Sequence, residues 1–159
     1  MSDEDREAFV WRAHSYINDY IRLADAKAGA LFAVFGAVVG LLIRQWTDGD
    51  EPMTWWRMAL FSSALLSSAI VLVLAIDVVR PRTRKSDQGY IFWEHINDRR
   101  LREYQDALRG LDAGGLFDAV TSHTHEISAI ADMKYARLKL AFVASYVALP
   151  LGLLGLPTL

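Results

Sequence analysis

Residues 58–76 read MALFSSALLSSAIVLVLAI, which is nineteen consecutive residues without a charged side chain. Because a helix needs about 20 apolar residues to cross a bilayer, this stretch predicts a membrane-spanning helix. Residues 28–43 and 140–156 are also uncharged, and each stretch is bordered by a lysine or arginine whose long side chain can reach the lipid headgroups. The three stretches together predict an all-α integral membrane protein with three transmembrane helices.

The composition of the 159-residue chain favours a membrane protein over a soluble bundle. Hydrophobic residues make up 53% of it, and three helices that are apolar on all sides would leave a small soluble protein with little polar surface. The absence of cysteine excludes disulfides and thiolate metal sites. The net charge of -2 implies no general attraction to nucleic acid. The acidic start MSDEDREAF lacks the basic region of a signal peptide, so we expect the spans to belong to the mature protein.

The basic residues are distributed unevenly along the chain. Of the 17 lysines and arginines, only Arg44 and Arg57 lie between the first two spans, and the other fifteen precede the first span or lie between the second and third. The positive-inside rule therefore places the N-terminus and the long middle segment in the cytoplasm. The predicted segments are a cytoplasmic N-terminal helix (1–27), transmembrane helices (28–44, 58–77 and 139–157), an outer loop (45–57) and a cytoplasmic helical region (78–138).

The cytoplasmic segments carry apolar residues at helical spacing. The pattern runs through residues 9–24 and again through residues 117–131, and neither range contains proline or glycine. We therefore expect the first and third transmembrane helices to continue long cytoplasmic helices, which form a bundle. Residues 90–108 predict a further amphipathic stretch. Its predicted buried side carries Ile91, Phe92, Ile96, Leu101, Tyr104 and Leu108.

A repeated tetrad precedes two of the spans. Ala24-Asp25-Ala26-Lys27 stands before the first span, and Ala131-Asp132-Met133-Lys134 stands before the third. A lysine at this depth can extend to the headgroups, whereas the short aspartate side chain needs a partner or water. A crossed arrangement on neighbouring parallel helices, with Asp25 facing Lys134 and Asp132 facing Lys27, would satisfy all four. Such pairs are interpreted either as structural anchors that set helix depth or as part of a gate or ligand site.

The first span also carries a GxxxG pattern, formed by Gly36 and Gly40. Small residues at this spacing let two helix backbones approach closely in lipid. The pattern predicts a homo-oligomer interface, with an even number of subunits. The alternative is that packing within a three-helix monomer uses this face.

The histidines do not predict catalysis. His123 and His125 are two residues apart, so on a helix they point in nearly opposite directions and cannot share a metal ion. His14 and His95 are isolated in the sequence. We therefore expect no catalytic residues, no metal site, no cofactor and no enzymatic activity.

Five motifs resemble one known family in order and spacing. They are ADAKAGALFAVFGA (24–37), VRPR (79–82), YIFWEHI (90–96), EYQDAL (103–108) and HEISAIADMKYARLKLAF (125–142). Together they resemble the transmembrane effector family of the Pycsar anti-phage system. The resemblance implies a multi-pass protein of the bacterial inner membrane that senses cyclic CMP or cyclic UMP from a partner pyrimidine nucleotide cyclase. It also implies that the protein then impairs the membrane and causes abortive infection.

Candidate ligand residues follow from the chemistry of such a nucleotide. Arginine holds a phosphate in a fork, an aromatic ring stacks on a base, and asparagine can read a base edge. The candidates chosen on this basis are Arg80, Arg82, Trp93, Asn97 and Arg100. The arginines also fit contact with anionic lipid headgroups. The alternative function is a small structural membrane anchor or regulatory module that binds a cytoplasmic protein.

Overall fold

The structure, a computed structural model, describes residues 2–48, 54–81 and 89–155, with Asp3 and Trp93 described for their backbone only. It contains five helices in these ranges: α1 (Asp3–Asp48), α2 (Trp55–Val79), α3 (Trp93–Asn97), α4 (Leu101–Arg109) and α5 (Ala113–Gly155). The described residues form no strand. Helices α1, α2 and α5 are each long and apolar enough to cross a membrane. The predicted all-α fold with three membrane spans is confirmed.

The chain forms two compact units. One comprises Met1–Ile21 and Pro81–Asp132, and we call it the α3–α4 unit. The other comprises Arg22–Arg80 and Met133–Leu159, and we call it the three-helix unit. Helices α1 and α5 each contribute residues to both units.

The core of the three-helix unit is built largely from small side chains. Its clusters are Ala24, Ala28, Ala75, Val78 and Leu138; Phe35, Val71 and Ala148; and Leu42, Phe61 and Ala64. Glycines on α5 complete this packing. A Cβ atom at Gly152 would lie 2.9 Å from Val38 Cγ1, and one at Gly155 would lie 3.3 Å from Leu42 Cδ2. The α5 backbone therefore approaches α1 closely only because these positions lack side chains.

The GxxxG face of α1 is not used in this packing. Gly36 and Gly40 are exposed, and a Cβ atom built on either would have no neighbouring atom within 4 Å. The alternative to an oligomer interface was that packing within the monomer uses this face. The described residues do not pack in this way.

The α3–α4 unit differs from one sequence expectation. Its core includes Val120 and Ile127 of α5, but Leu101 is 70% exposed and Leu108 is 39% exposed, so their predicted burial was wrong. The reason is a break in the helix: Arg100 has an extended backbone and serves as the N-cap of α4. This break resets the helical phase that was assumed to run through residues 90–108.

Candidate functional site

A cavity of about 300 Å³ lies within the α3–α4 unit. Its volume is at the lower end of the range for small-molecule pockets, roughly 300–1,000 Å³. The segment before α3 forms one wall, and the N-terminal turns of α5 form another. The lining residues are Gly89, Tyr90, Ile91, Phe92, Leu111, Gly115, Asp118, Ala119, Ser122, His123 and Glu126.

Aromatic rings form the wall that precedes α3. The ring centroid of Phe92 is 5.6 Å from that of His95 and 6.1 Å from that of His123. Gly89 permits this arrangement, because a Cβ atom there would lie 2.6 Å from His95 Nδ1. The hydroxyl of Tyr104 on α4 donates a hydrogen bond to the carbonyl oxygen of Tyr90 at 2.9 Å. The position of the aromatic wall is therefore set by α3, α4 and α5 together.

A cation lies beside this wall. The guanidinium carbon of Arg99 is 5.0 Å from the ring centroid of Tyr90, within the range of a cation–π contact. Its Nη1 atom is buried and has no hydrogen-bond partner among the described residues. Since buried polar groups in folded proteins are nearly always hydrogen-bonded, this guanidinium N–H is a candidate donor for a bound acceptor beside Tyr90. Arg99 itself is not one of the residues that line the cavity.

The opposite wall is acidic. Asp118 and Glu126 both line the cavity from α5, and Glu126 Oε2 lies 3.9 Å from His123 Nδ1. Carboxylates accept hydrogen bonds from N–H and O–H groups but repel an anion. A ligand with a phosphate would therefore place it away from Asp118 and Glu126 and turn its hydrogen-bond donors towards α5.

Three histidines that are distant in sequence come together near the cavity. The rings of His14 and His123 have centroids 5.3 Å apart. Burial is the main cause that lowers the pKa of His123 below its usual value of 6.5, and His14 and His95 lower it further, whereas Glu126 acts in the opposite direction. The described residues contain no group of three or more His, Cys, Asp or Glu side chains that could hold a metal ion.

The lowered pKa of His123 predicts a pH-dependent stability. In the pH window between its folded-state pKa and about 6.5, the unfolded chain binds more protons than the folded chain, so the free energy of unfolding should decrease as the pH falls through that window. Above about pH 7 this residue should not contribute to the dependence of the free energy of unfolding on pH. His123→Gln should flatten the slope in thermal unfolding followed by circular dichroism, whereas His125→Gln, at an exposed helix position, should preserve it. Equal slopes in the wild type and His123→Gln would contradict this assignment.

A second polar cluster lies inside the three-helix unit. Lys134 on α5 is 5% exposed. Its ammonium forms an ion pair with Asp25 on α1 and donates a hydrogen bond to the carbonyl oxygen of Val78 on α2 at 2.8 Å. One buried cation therefore joins the three long helices. A neighbouring ion pair links Arg137 Nε to Asp77 Oδ2 at 3.3 Å.

The structure brings together some of the predicted pair residues. Asp25 and Lys134 are in contact, while their role as a structural or gating pair stays a prediction. Lys27 belongs to the three-helix unit and Asp132 to the α3–α4 unit, so their pairing also stays a prediction. Sequence reasoning missed Asp77, whose signal was a lone carboxylate directly after the apolar run 58–76.

The predicted ligand residues whose side chains the structure describes do not line the cavity. Arg80 is exposed at the C-terminal end of α2, and Asn97 and Arg100 are exposed at the break between α3 and α4. Arg82 and the side chain of Trp93 lie outside the described residues. The described residues that line the cavity include none of the five, and their binding role stays a prediction.

Sequence reasoning also missed the α5 wall of the cavity. Gly115, Ala119, Ser122 and Glu126 recur at intervals of three and four residues, so they share one face of α5. Small residues on one helix face, followed by an acidic residue one turn later, could have indicated a recess with an acceptor at its end.

Comparison with known proteins places the chain in a family. A family model for the Pycsar effector protein domain matches residues 9–159. The chain belongs to the Pycsar effector family. It is also 25% identical over 141 residues to the Pycsar effector protein SaPycTM of Staphylococcus aureus, and the match covers 88% of this chain and 87% of that protein. No solved structure matches the chain. Family membership and three apolar helices of spanning length make this protein a transmembrane effector of antiviral defence.

Proposed function

We propose that this effector binds a cyclic pyrimidine nucleotide, cyclic CMP or cyclic UMP, in the cavity of the α3–α4 unit. The nucleotide is the product of a partner pyrimidine nucleotide cyclase. Binding causes the three-helix unit to impair the bacterial inner membrane, and the infected cell stops supporting the phage. The observation that carries the proposal is the buried Arg99 Nη1, which has no hydrogen-bond partner among the described residues and belongs to a guanidinium that contacts Tyr90 of the aromatic-walled cavity.

The cavity lining and Arg99, which contacts the lining residue Tyr90, together offer one group for each part of the ligand. The flat base stacks on Phe92, because base–aromatic stacking does not depend on a particular base. The cyclic phosphate takes hydrogen bonds from Arg99, whose planar guanidinium suits phosphate oxygens. Donors on the base or ribose face the carboxylates of Asp118 and Glu126. A monoanion with a flat polar ring thus matches the distribution of charge around the cavity.

The response follows from the continuity of two helices. Helices α1 and α5 are each continuous, and each contributes residues to both units. A shift of either helix on binding is passed to the residues that surround Lys134, since no loop within the helix absorbs it. In this proposal the N-terminus and the α3–α4 unit are cytoplasmic, where the nucleotide is made. No catalytic step is assigned to the chain.

Calorimetric titration of the purified full chain tests the proposal. Cyclic CMP, cyclic UMP, cyclic AMP and cyclic GMP are each added to protein in lipid nanodiscs. We expect saturable binding of at least one pyrimidine nucleotide and binding at least about tenfold weaker for both purines, a difference of about 1.4 kcal/mol. Binding of none of the four, or equal binding of all, would reject the proposed specificity.

A surface on α1 favours the alternative function. Phe9 is 63% exposed, Tyr16 61% and Tyr20 40%, and their spacing of seven and four residues places them on one helix face. Exposed aromatic surface of this kind fits a protein partner, as expected of a small membrane anchor or regulatory module. Growth distinguishes the two functions: an effector arrests cells when an active pyrimidine cyclase is co-expressed, whereas an anchor leaves growth unchanged.

We further propose that the effector is a homo-oligomer that assembles through Gly36 and Gly40. Gly36→Leu should shift the oligomer towards monomer, because the added side chain separates helices that pack closely at glycine. Among the described residues no atom lies within 4 Å of a Cβ at Gly36, so we expect the change to leave the packing of the monomer intact. Mass photometry in nanodiscs provides the measurement, with Ala69→Leu at an exposed α2 position as the control. An unchanged mass for Gly36→Leu would reject this interface.

A further inference from the structure

A groove of about 240 Å³ runs between α1 and α5 within the three-helix unit. Side chains on its rim are open to the surroundings, since Val34 is 49% exposed and Leu149 is 42% exposed. The groove lies in the apolar parts of two helices that can span a membrane, where the surrounding solvent is lipid. Its lining includes Ala30, Leu31 and Val34 from α1 and Phe142 and Leu149 from α5, with Lys27 at one end.

Lys27 is the cation of this groove. Asp25, the carboxylate nearest to it in sequence, is already bound to Lys134, and within the three-helix unit Lys27 forms no ion pair with any residue that the structure describes. Ser145, the other polar lining residue, donates its hydroxyl to the carbonyl oxygen of Phe142 at 2.7 Å. The groove therefore presents an apolar channel and, at one end, a positive charge that no described residue of the three-helix unit neutralises.

We infer that this groove binds an anionic glycerophospholipid. One acyl chain occupies the apolar channel, and the headgroup phosphate pairs with Lys27. Lys139 is exposed on α5 one turn before Phe142, so its long side chain can reach the same headgroup. Apolar lining and charge complementarity together select an amphiphile with an anionic head, and phosphatidylglycerol has this chemistry.

The groove and the GxxxG face are separate surfaces of α1. Gly36 follows Lys27 by nine residues, which is about two and a half turns at 3.6 residues per turn. The two residues therefore point to opposite sides of the helix. Lipid in the groove and a second copy on the glycine face can be present at the same time, and their loss can be measured separately.

Native mass spectrometry tests the inference. The full chain is reconstituted in nanodiscs that contain phosphatidylcholine and phosphatidylglycerol, released into mild detergent, and examined for retained lipid. We expect the wild type to retain phosphatidylglycerol in preference to phosphatidylcholine. Lys27→Met should reduce this preference about fivefold, the effect expected for one basic residue at an anionic lipid surface, and Lys27→Met with Lys139→Met should abolish it.

A groove-filling variant separates the acyl-chain site from simple charge attraction. Ala30→Phe keeps both lysines and places an aromatic ring at an exposed position in the lining, so we expect loss of retained lipid of both kinds. Ala69→Phe, at an exposed α2 position outside the groove, should retain lipid as the wild type does. Equal retention of the two lipids by the wild type would overturn the inference. Full retention of lipid by Ala30→Phe would also overturn it. If Ala30→Phe changed the oligomer mass and did not lose lipid, a second copy would occupy the groove, and the inference would again be wrong.

Discussion

Lys134→Met is expected to lower the free energy of unfolding by about 3 kcal/mol, the lower end of the range for breaking a buried ion pair. The change leaves the Asp25 carboxylate without its cation and the Val78 carbonyl without its donor. The estimate is at the lower end because the Asp25 side chain is 36% exposed, so other polar groups or water can replace part of the lost interaction. Titration with SDS in mixed micelles, followed by circular dichroism, measures the loss.

The partner substitution should cost less. In Asp25→Asn the amide oxygen still accepts a hydrogen bond from Lys134, although the buried ammonium loses its counter-charge. The double variant, with no charge left to bury, should cost less than the sum of the single variants by about 1–2 kcal/mol. Arg137→Met is the matched control. Its pair with Asp77 has side chains 48% and 32% exposed, so we expect a loss below about 1 kcal/mol.

This double-mutant cycle of Asp25→Asn and Lys134→Met also distinguishes between the two roles considered for the pair. A coupling of zero with stable single variants would show that Asp25 and Lys134 only mark helix depth. Stable single variants that bind the nucleotide but no longer arrest growth would assign the pair to the gate. A strong coupling in the absence of nucleotide is the result we expect, because a buried charge such as that of Lys134 needs its partner before any ligand arrives.

The membrane spans were predictable because a run without charge is a local property of the chain. Residues 58–76 need only their own composition to predict a span. The contact of Asp25 with Lys134 could also be predicted from the sequence, since two similar tetrads at the same depth imply two comparable helices. The pairing of Asp77 with Arg137 was not predicted, because no repeat links those positions and the choice of neighbour depends on how α2 packs against α5.

The cavity was not predictable for a related reason. Its aromatic wall depends on a hydrogen bond between Tyr104 and Tyr90, fourteen residues apart, and on the break at Arg100, which changes which side chains point inwards. A pattern of helical spacing assumes one continuous phase and therefore placed Leu101 and Leu108 inside. Trp93, Asn97 and Arg100 were chosen for the chemistry of their side chains, which does not show where the chain places them.

Small residues show a similar limit. The sequence contains glycines at helical spacing in both the first and the third span, and the spacing alone predicts close packing for either. The structure uses Gly152 and Gly155 within the chain and leaves Gly36 and Gly40 exposed. The difference arises from the opposing side chains: Val38 and Leu42 fill the space above the α5 glycines, whereas no residue that the structure describes provides such a partner for the other face.

Ser122→Phe is expected to weaken cyclic nucleotide binding by at least about 100-fold and to abolish the growth arrest. Ser122 lines the cavity from an exposed position on α5, so a phenylalanine ring can enter the cavity without replacing a core side chain. A ligand that must share about 300 Å³ with that ring loses its stacking position. A 100-fold loss corresponds to about 2.7 kcal/mol, comparable with the loss of one stacked base, about 1–3 kcal/mol.

The control for bulk is Ser15→Phe, which makes the same substitution at an exposed α1 position that does not line the cavity. It should bind and arrest growth as the wild type does.

Arg99→Gln tests the phosphate contact. It should weaken binding of the cyclic nucleotide and leave the affinity for the uncharged pyrimidine nucleoside unchanged. A uniform loss for both compounds would show that Arg99 supports the wall through Tyr90 and does not contact the phosphate.

The same measurements compare the cavity with the residues chosen from the sequence. If the nucleotide binds in the cavity, Asn97→Ala and Arg100→Gln should change affinity by less than about threefold, since both side chains are exposed outside it. If it binds on the face predicted from the sequence, these two variants should lose binding and Ser122→Phe should keep it. The carboxylates of Asp118 and Glu126 predict a further difference. If the base or ribose donors of the nucleotide bind these carboxylates, Glu126→Gln should lower the affinity, because it replaces one acceptor oxygen with a donor. If the nucleotide binds at Arg100, Glu126→Gln should leave the affinity unchanged.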